Sequence, residues 1–214
     1  MKVKHLILSL GLATTLGCLP AQAGDDAFGN TPDPLAEAAD FSDVFDRIDS
    51  PVLDFETGVL VRVTDNTDLN YTVIPTIISF RSPGHWVWDV GDSTLVFRSR
   101  TSLLLEGFAE GPESYYLGIS GSPSIEWWFP GKDTYLHFSI GGGFGWLDSQ
   151  GVEGGQGQDF TYNWFMHGGI RHFVSEKTSL SLGVFFQHNS NRGATDPNPG
   201  LDTFGPMIGF SRHF

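Results

Sequence analysis

Residues 134–147 decide the fold: Thr134-Tyr135-Leu136-His137-Phe138-Ser139-Ile140-Gly141-Gly142-Gly143-Phe144-Gly145-Trp146-Leu147. Successive side chains of an extended strand point to opposite sides. Leu136, Phe138, Ile140, Phe144 and Trp146 therefore share one face, and Tyr135, His137, Ser139, Gly141, Gly143 and Gly145 share the other. One face is large and apolar, the other small or polar. That division suits a membrane-spanning barrel, whose outside meets lipid, whose interior is polar and whose closure leaves no sheet edge unpaired. A soluble lipocalin-like barrel or β-sandwich has the same period but turns its apolar set inward.

The period of two recurs along the chain. It predicts eight strands, near Thr57 to Asp65, Asn70 to Arg81, Thr94 to Gly107, Ser114 to Phe129, Thr134 to Leu147, Phe160 to Val174, Thr178 to Ser190 and Asp202 to Phe214. Residues 57–214 shared among eight strands allow roughly 20 apiece with a connection, enough for the ~9–11 that cross a bilayer. Twelve strands would leave roughly 13 apiece, too few once long loops are included. Pro130-Gly131-Lys132-Asp133 and Ser175-Glu176-Lys177 are short connections, whereas 148–159 and 191–201 are long. Bacterial barrels have short periplasmic turns and long extracellular loops, so the strands at 134–147 and 178–190 run outward from the cell. Ile208, Phe210 and Phe214 share one face of the last strand, an aromatic ending of the kind outer-membrane assembly recognises. The expected fold is all-β, an eight-stranded antiparallel transmembrane β-barrel.

Composition agrees. Charged residues are 17% of the chain, below the usual share of about 25%, while aromatics reach 14% and glycines number 27. A nucleic-acid binder would need a basic stripe, and here 12 Lys and Arg face 25 Asp and Glu. Beyond the first 20 residues no apolar run approaches the ~20 needed for a membrane helix. The N-terminus places Lys2 and Lys4 before the apolar run from Leu6 to Leu19 and ends in Ala21-Gln22-Ala23, the order of a secretory signal peptide over residues 1–23. Cys18, the one cysteine, lies within it, so the mature chain is expected to have no disulfide and no thiolate metal site. Residues 24–56 form an acidic leader with ten Asp or Glu, in which Asp33-Pro34 and the spacing of Phe41, Val44, Phe45 and Ile48 fit a short amphipathic helix, a partly ordered leader being the alternative.

The strand at 178–190 breaks its own pattern at the extracellular end. Leu182, Val184 and Phe186 share their face with His188 and Ser190, so two polar side chains sit on the lipid-facing side. Positions i and i+2 of a strand lie about 6.5–7 Å apart on one face, close enough for an imidazole to serve a serine as general base. By parity Asp202 lies on the same outer face at the start of the next strand, where a carboxylate could orient His188. The alternative is an interfacial His and Ser beside an ordinary loop Asp, since polar groups near the interface cost little. Gly141-Gly142-Gly143-Phe144-Gly145 is not a phosphate loop, because no helix follows it and close backbone packing explains the glycines. The remaining histidines have no metal spacing, and the acidic loop at 148–159 lacks the ligand order of a calcium site.

Phe186-Gln187-His188-Asn189-Ser190-Asn191, followed by Pro197-Asn198-Pro199-Gly200 and Asp202, resembles the C-terminal signature of the lipid A 3-O-deacylase (PagL) family. That family has eight-stranded barrels with a His-x-Ser-Asn motif and a Glu 12 residues after the Ser. Residue 202 occupies that position here and is Asp, one methylene shorter, with Asp196 as a poorer substitute. The resemblance implies an outer-membrane serine esterase that removes the 3-position hydroxyacyl chain of lipid A in lipopolysaccharide. It assigns Ser190 as nucleophile, His188 as base and then acid, and Asp202 as the orienting acid of a Ser-His-Asp triad, with Asn191 and the backbone near Gly193 as oxyanion donors. Outer-membrane phospholipase A shares the motif but uses a third-position Asn, twelve strands and calcium, so the expectation here is no metal and no cofactor. A non-enzymatic structural or adhesive barrel is the other alternative. The expected partner is outer-leaflet lipopolysaccharide, and the oligomeric state stays open, a dimer included.

Overall fold

The computed structural model describes residues 46–65 and 67–214. The signal peptide and the short helix expected from Asp33 onward lie outside these residues, apart from the end of the helix near Ile48, where the chain forms a turn. The described chain forms ten strand segments: β1 (Val52–Gly58), β2 (Leu60–Arg62), β3 (Thr72–Arg81), β4 (Trp86–Val90), β5 (Ser93–Glu110), β6 (Tyr115–Trp128), β7 (Thr134–Leu147), β8 (Phe160–Ser175), β9 (Thr178–Ser190) and β10 (Leu201–His213). They fill eight positions of one antiparallel wall. β1 and β2 share a position, both flanked by β3 and β10, and β4 pairs only with β5. The pairing of β1 with β10, from Val52↔His213 to Gly58↔Met207, closes the sheet.

Burial settles which face is inside. β6 alternates without exception: Ser120, Ser122, Ser124 and Glu126 are buried, whereas Leu117, Ile119, Ile125 and Trp127 are exposed. A soluble barrel would invert that order. Leu136, Phe138, Ile140, Phe144 and Trp146 are exposed on β7, as are Leu182, Ile208 and Phe210 on the neighbouring wall, so the apolar set forms an outer belt for lipid. The β7 glycines allow close backbone approach: a Cβ on Gly143 would lie 1.9 Å from the Ile119 carbonyl oxygen.

The interior is solid and has two zones, where the sequence pattern led us to expect only polar and small residues. Toward the short-turn, periplasmic end, Asp54 bridges Arg81 Nε (2.7 Å) and Arg171 Nη1 (2.6 Å). Glu56 bridges Arg171 Nη2 (2.9 Å) and Arg100 Nη2 (2.5 Å), and Glu126 bridges Arg98 Nε (3.0 Å) and Arg81. Toward the long loops, Leu60, Val73, Ile77, Leu104, Tyr116, Leu147, Phe165, Phe185 and Met207 pack as an apolar layer. The periplasmic mouth is closed by Ile48 against Val96, Trp128, Tyr135 and Phe173. Arg47 clasps this closure, donating to the Glu176 carbonyl (3.1 Å), the Lys132 carbonyl (3.2 Å) and Asp133 while lying 4.0 Å over the Phe173 ring.

Two boundaries depart from expectation. The first strand starts at Val52, not Thr57, so residues 52–56 belong to the wall and not to the acidic leader. Their acids alternate with Leu53 and Phe55, and Asp54 and Glu56 point inward to arginines on β3, β5 and β8, partners that no local pattern displays. β4 was not expected at all. After Arg81 the chain leaves the ladder for four residues and then resumes pairing with β5 at Trp86↔Phe97, prolonging the wall below the barrel.

Candidate active site

The outer face of β9 carries His188 and Ser190 to the long-loop end, as its parity required. Asp202, the second residue of β10, is the direct cross-strand partner of His188. Directly opposed residues of an antiparallel pair hold their Cβ atoms only about 4.5–5.5 Å apart, so the short Asp side chain suffices. His188 Nδ1 donates to Asp202 Oδ1 at 2.6 Å. That bond fixes the ring and leaves Nε2 as the nitrogen available to a nucleophile. The second carboxylate oxygen, Oδ2, accepts from Thr64 Oγ1 at 2.9 Å. Asp196 lies exposed in the loop between β9 and β10.

The β8 wall supplies the rest. Tyr162 is the cross-strand partner of Ser190, and Trp164 that of His188, with ring centroids of Trp164 and His188 6.1 Å apart. Together with Gly143, Asn163 and Arg192 these residues line a cleft of about 430 Å³ containing both His188 and Ser190. The aromatic shoulder changes the exposure of the polar pair: Ser190 is 9% exposed and the His188 side chain 26%, so neither lies bare on the barrel. Among the described residues no hydrogen bond joins Ser190 to His188, and both open onto the same cleft. A larger groove of about 710 Å³ lies lower on the same wall, between Leu136, Phe138, Ile170, Leu182 and Val184. It belongs to the lipid belt and holds no reactive group apart from His137, whose strand position faces the lumen.

Asn191 and Gly193, the expected oxyanion donors, have their donor groups engaged within the loops. Asn191 is fully buried, and its Nδ2 donates to the carbonyls of Gln156 (2.6 Å) and Thr195 (2.8 Å). Its Oδ1 accepts from Gly193 N (2.7 Å) and Ala194 N (3.1 Å), so the Gly193 amide is also engaged. This residue ties the β9–β10 loop to the β7–β8 loop. Arg192, between them, has a left-handed backbone (φ 59°) and holds its guanidinium 5.3 Å from the Tyr162 ring centre. Thr64, Tyr162 and Trp164 were not among the candidate site residues read from the sequence. Tyr162 and Trp164 could have been found by pairing β8 with β9 through their short turn, whereas Thr64 comes from a loop 138 residues before Asp202.

A second polar group braces the loops at the long-loop end of the barrel. The buried Glu113 carboxylate accepts from Tyr71 OH (2.9 Å) and Ser149 Oγ (2.8 Å). Burial and the neighbouring Glu113 charge push the Tyr71 hydroxyl well above its ordinary range. Partial burial works against ionisation of Asp148, yet the backbone amides of Tyr115 and Ser114 hold its carboxyl below the usual carboxylate value. Among the described residues no group of three or more His, Cys, Asp or Glu is arranged to hold a metal ion.

Comparison with known proteins adds the chemistry. No curated protein matches the chain. A solved structure titled as the outer membrane enzyme PagL is similar over 74% of this chain and 97% of its own, at 16% identity and a TM-score of 0.49. The outer membrane protein OprG from Pseudomonas aeruginosa is similar over 77% of this chain and 96% of its own, at 8% identity and a TM-score of 0.38. The sequence profile of lipid A 3-O-deacylase (PagL) matches residues 80–211, more than half of the chain and every residue that lines the cleft. The closed barrel with its lipid-facing belt, and a His-x-Ser-Asn segment within that match, belong to an outer-membrane lipid A deacylase: the chain is a member of the lipid A 3-O-deacylase (PagL) family.

Proposed function

We propose that lipid A is deacylated on the outer wall of this barrel by a Ser190-His188-Asp202 triad. The observation that carries this reading is the 2.6 Å His188–Asp202 contact beside Ser190, inside a cleft on the lipid-facing side of β8 and β9. A lipid in the outer leaflet can reach such a cleft sideways, with its acyl chains lying along Met166, Val184 and Phe186. Ser190 Oγ attacks the carbonyl carbon of the 3-position ester as its proton passes to His188 Nε2. Asp202 holds the imidazole and stabilises its protonated form. With the Asn191 amide and the Gly193 N–H engaged in the loop, we assign the developing oxyanion to the Arg192 guanidinium at the cleft wall. Collapse of the tetrahedral intermediate breaks the ester bond, and His188 returns the proton to the departing sugar oxygen. A water molecule, deprotonated by His188, then hydrolyses the acyl-Ser190 ester to the free hydroxy fatty acid.

The test is the lipid A mass spectrum of cells expressing the wild type or Ser190→Ala. The wild type should convert lipid A to a species lighter by one hydroxyacyl chain, and the variant should leave it intact. Unchanged lipid A with folded wild-type protein would remove the assignment and leave a structural barrel. Release of phospholipid acyl chains in its place would move the activity to a phospholipase.

A further inference from the structure

We infer that Thr64 is a positioning residue of the site, holding the Asp202 carboxylate in the orientation His188 requires; the inference rests on the triad reading. β10 meets β2 in only two ladder pairs, Thr203↔Arg62 and Phe204↔Val61, and Asp202 lies one step beyond them at the barrel seam. There the ladder is continued by backbone and side chain together. Val63 N donates to the Asp202 carbonyl at 3.0 Å, and Thr64 Oγ1 donates to Asp202 Oδ2 at 2.9 Å. The two carboxylate oxygens thus have separate tasks, Oδ2 toward Thr64 and Oδ1 toward His188 Nδ1 at 2.6 Å.

Thr64 is itself held. Arg62 Nη1 donates to the Thr64 carbonyl at 3.2 Å and also to the Thr67 carbonyl, so one guanidinium braces the loop after β2. Threonine is branched at Cβ and therefore stiff at χ1, which suits a donor that must keep one direction. The last torsion of Asp is broad, and a hydrogen bond on Oδ2 from a stiff donor narrows it and keeps Oδ1 on the imidazole. Thr64 has no place among the residues lining the cleft, so its effect on the reaction passes through Asp202.

The test uses the full-length protein refolded in detergent, with purified lipid A as substrate. It compares the wild type with Thr64→Val, Thr64→Ser, Asp202→Ala, the Thr64→Val/Asp202→Ala double variant and Ser190→Ala. Loss of one hydrogen bond to a charged group should lower kcat about tenfold in Thr64→Val, with KM unchanged. Thr64→Ser, which keeps the hydroxyl, should restore most of the rate. In the Asp202→Ala background, Thr64→Val should cause no further loss, since the group it orients is gone. Wild-type kcat in Thr64→Val, equal impairment of the Ser and Val variants, or an undiminished second loss in the double variant would each overturn the assignment. An inactive Ser190→Ala beside a fully active Thr64→Val overturns only the role of Thr64. An active Ser190→Ala overturns the triad and this role with it.

Discussion

Asp54 in the lumen and Asp202 on the wall make the same kind of contact, a carboxylate oxygen 2.6 Å from a basic nitrogen, in opposite surroundings. Asp54 is fully buried, bound on both oxygens by Arg81 and Arg171, and accepts a further hydrogen bond from Ser211 Oγ at 2.5 Å. Every partner there is a permanent donor, and the group is locked. Asp202 meets an imidazole whose other nitrogen opens onto a cleft beside a serine. Both sites make use of a charge-assisted hydrogen bond, but only a pair with one end left open can pass a proton onward. The lumen lattice gives shape, and the proposed triad puts chemistry on the wall.

That contrast can be broken by substitution. The largest effect is expected from Ser190→Ala, a loss on the order of 10⁴–10⁶-fold in kcat with the heat-shifted gel mobility of a folded barrel unchanged. Asp202→Asn should follow at about 10²–10⁴-fold in kcat, again with the fold intact, because an amide holds the imidazole in the wrong tautomer. Asp54→Ala should behave in the converse way. Taking from Arg81 and Arg171 one of the two carboxylates that each binds, and leaving only Glu126 and Glu56, costs about 3–5 kcal/mol, read as a lower urea midpoint, while the folded fraction keeps its turnover. If Asp54→Ala abolished turnover without moving the midpoint, the division between shape and chemistry would be wrong. Arg192→Gln sharpens the wall side: loss of an oxyanion donor should lower kcat about 10²-fold and leave stability alone.

The smallest effect concerns pH. Asp148 has its carboxyl held below the ordinary value, so its contribution to the loops is present at neutral pH and is lost as pH falls through that lowered value. Asp148→Asn should slightly lower thermal stability at pH 7, and the gap from wild type should begin to narrow as the pH drops below about 4 and close only below the lowered value. A gap that persisted in acid would mean the side chain acts there by shape, as the lumen groups do.

Much of this was legible along the chain, for a physical reason. Period two and i,i+2 spacing are local, so the eight wall positions, the lipid face, and the common side of His188 and Ser190 could be read from consecutive residues. The Ser190–Asp202 spacing was carried by a family resemblance, and the Asp at 202 became interpretable only once its register opposite His188 was known. What stayed hidden is what distant strands share. Glu56 looked like part of an acidic leader because its partners Arg100 and Arg171 lie on β5 and β8. Asn191 looked like a free amide because the Gln156 carbonyl that engages it belongs to another loop. Thr64 looked like an ordinary position near the end of the first strand until closure of the wall brought it to Asp202.

The packed interior has a consequence for the cell. Barrels of 16–18 strands leave a water-filled path, whereas eight strands enclose a width that side chains can fill. Here the path is occupied twice, by the Arg81, Arg98, Arg100 and Arg171 lattice and by the layer around Phe165 and Phe185, and its periplasmic mouth is shut by Ile48. An enzyme built this way can be inserted in quantity without admitting ions, detergents or antibiotics across the permeability barrier it sits in. It can therefore remodel the outer leaflet while the cell stays sealed.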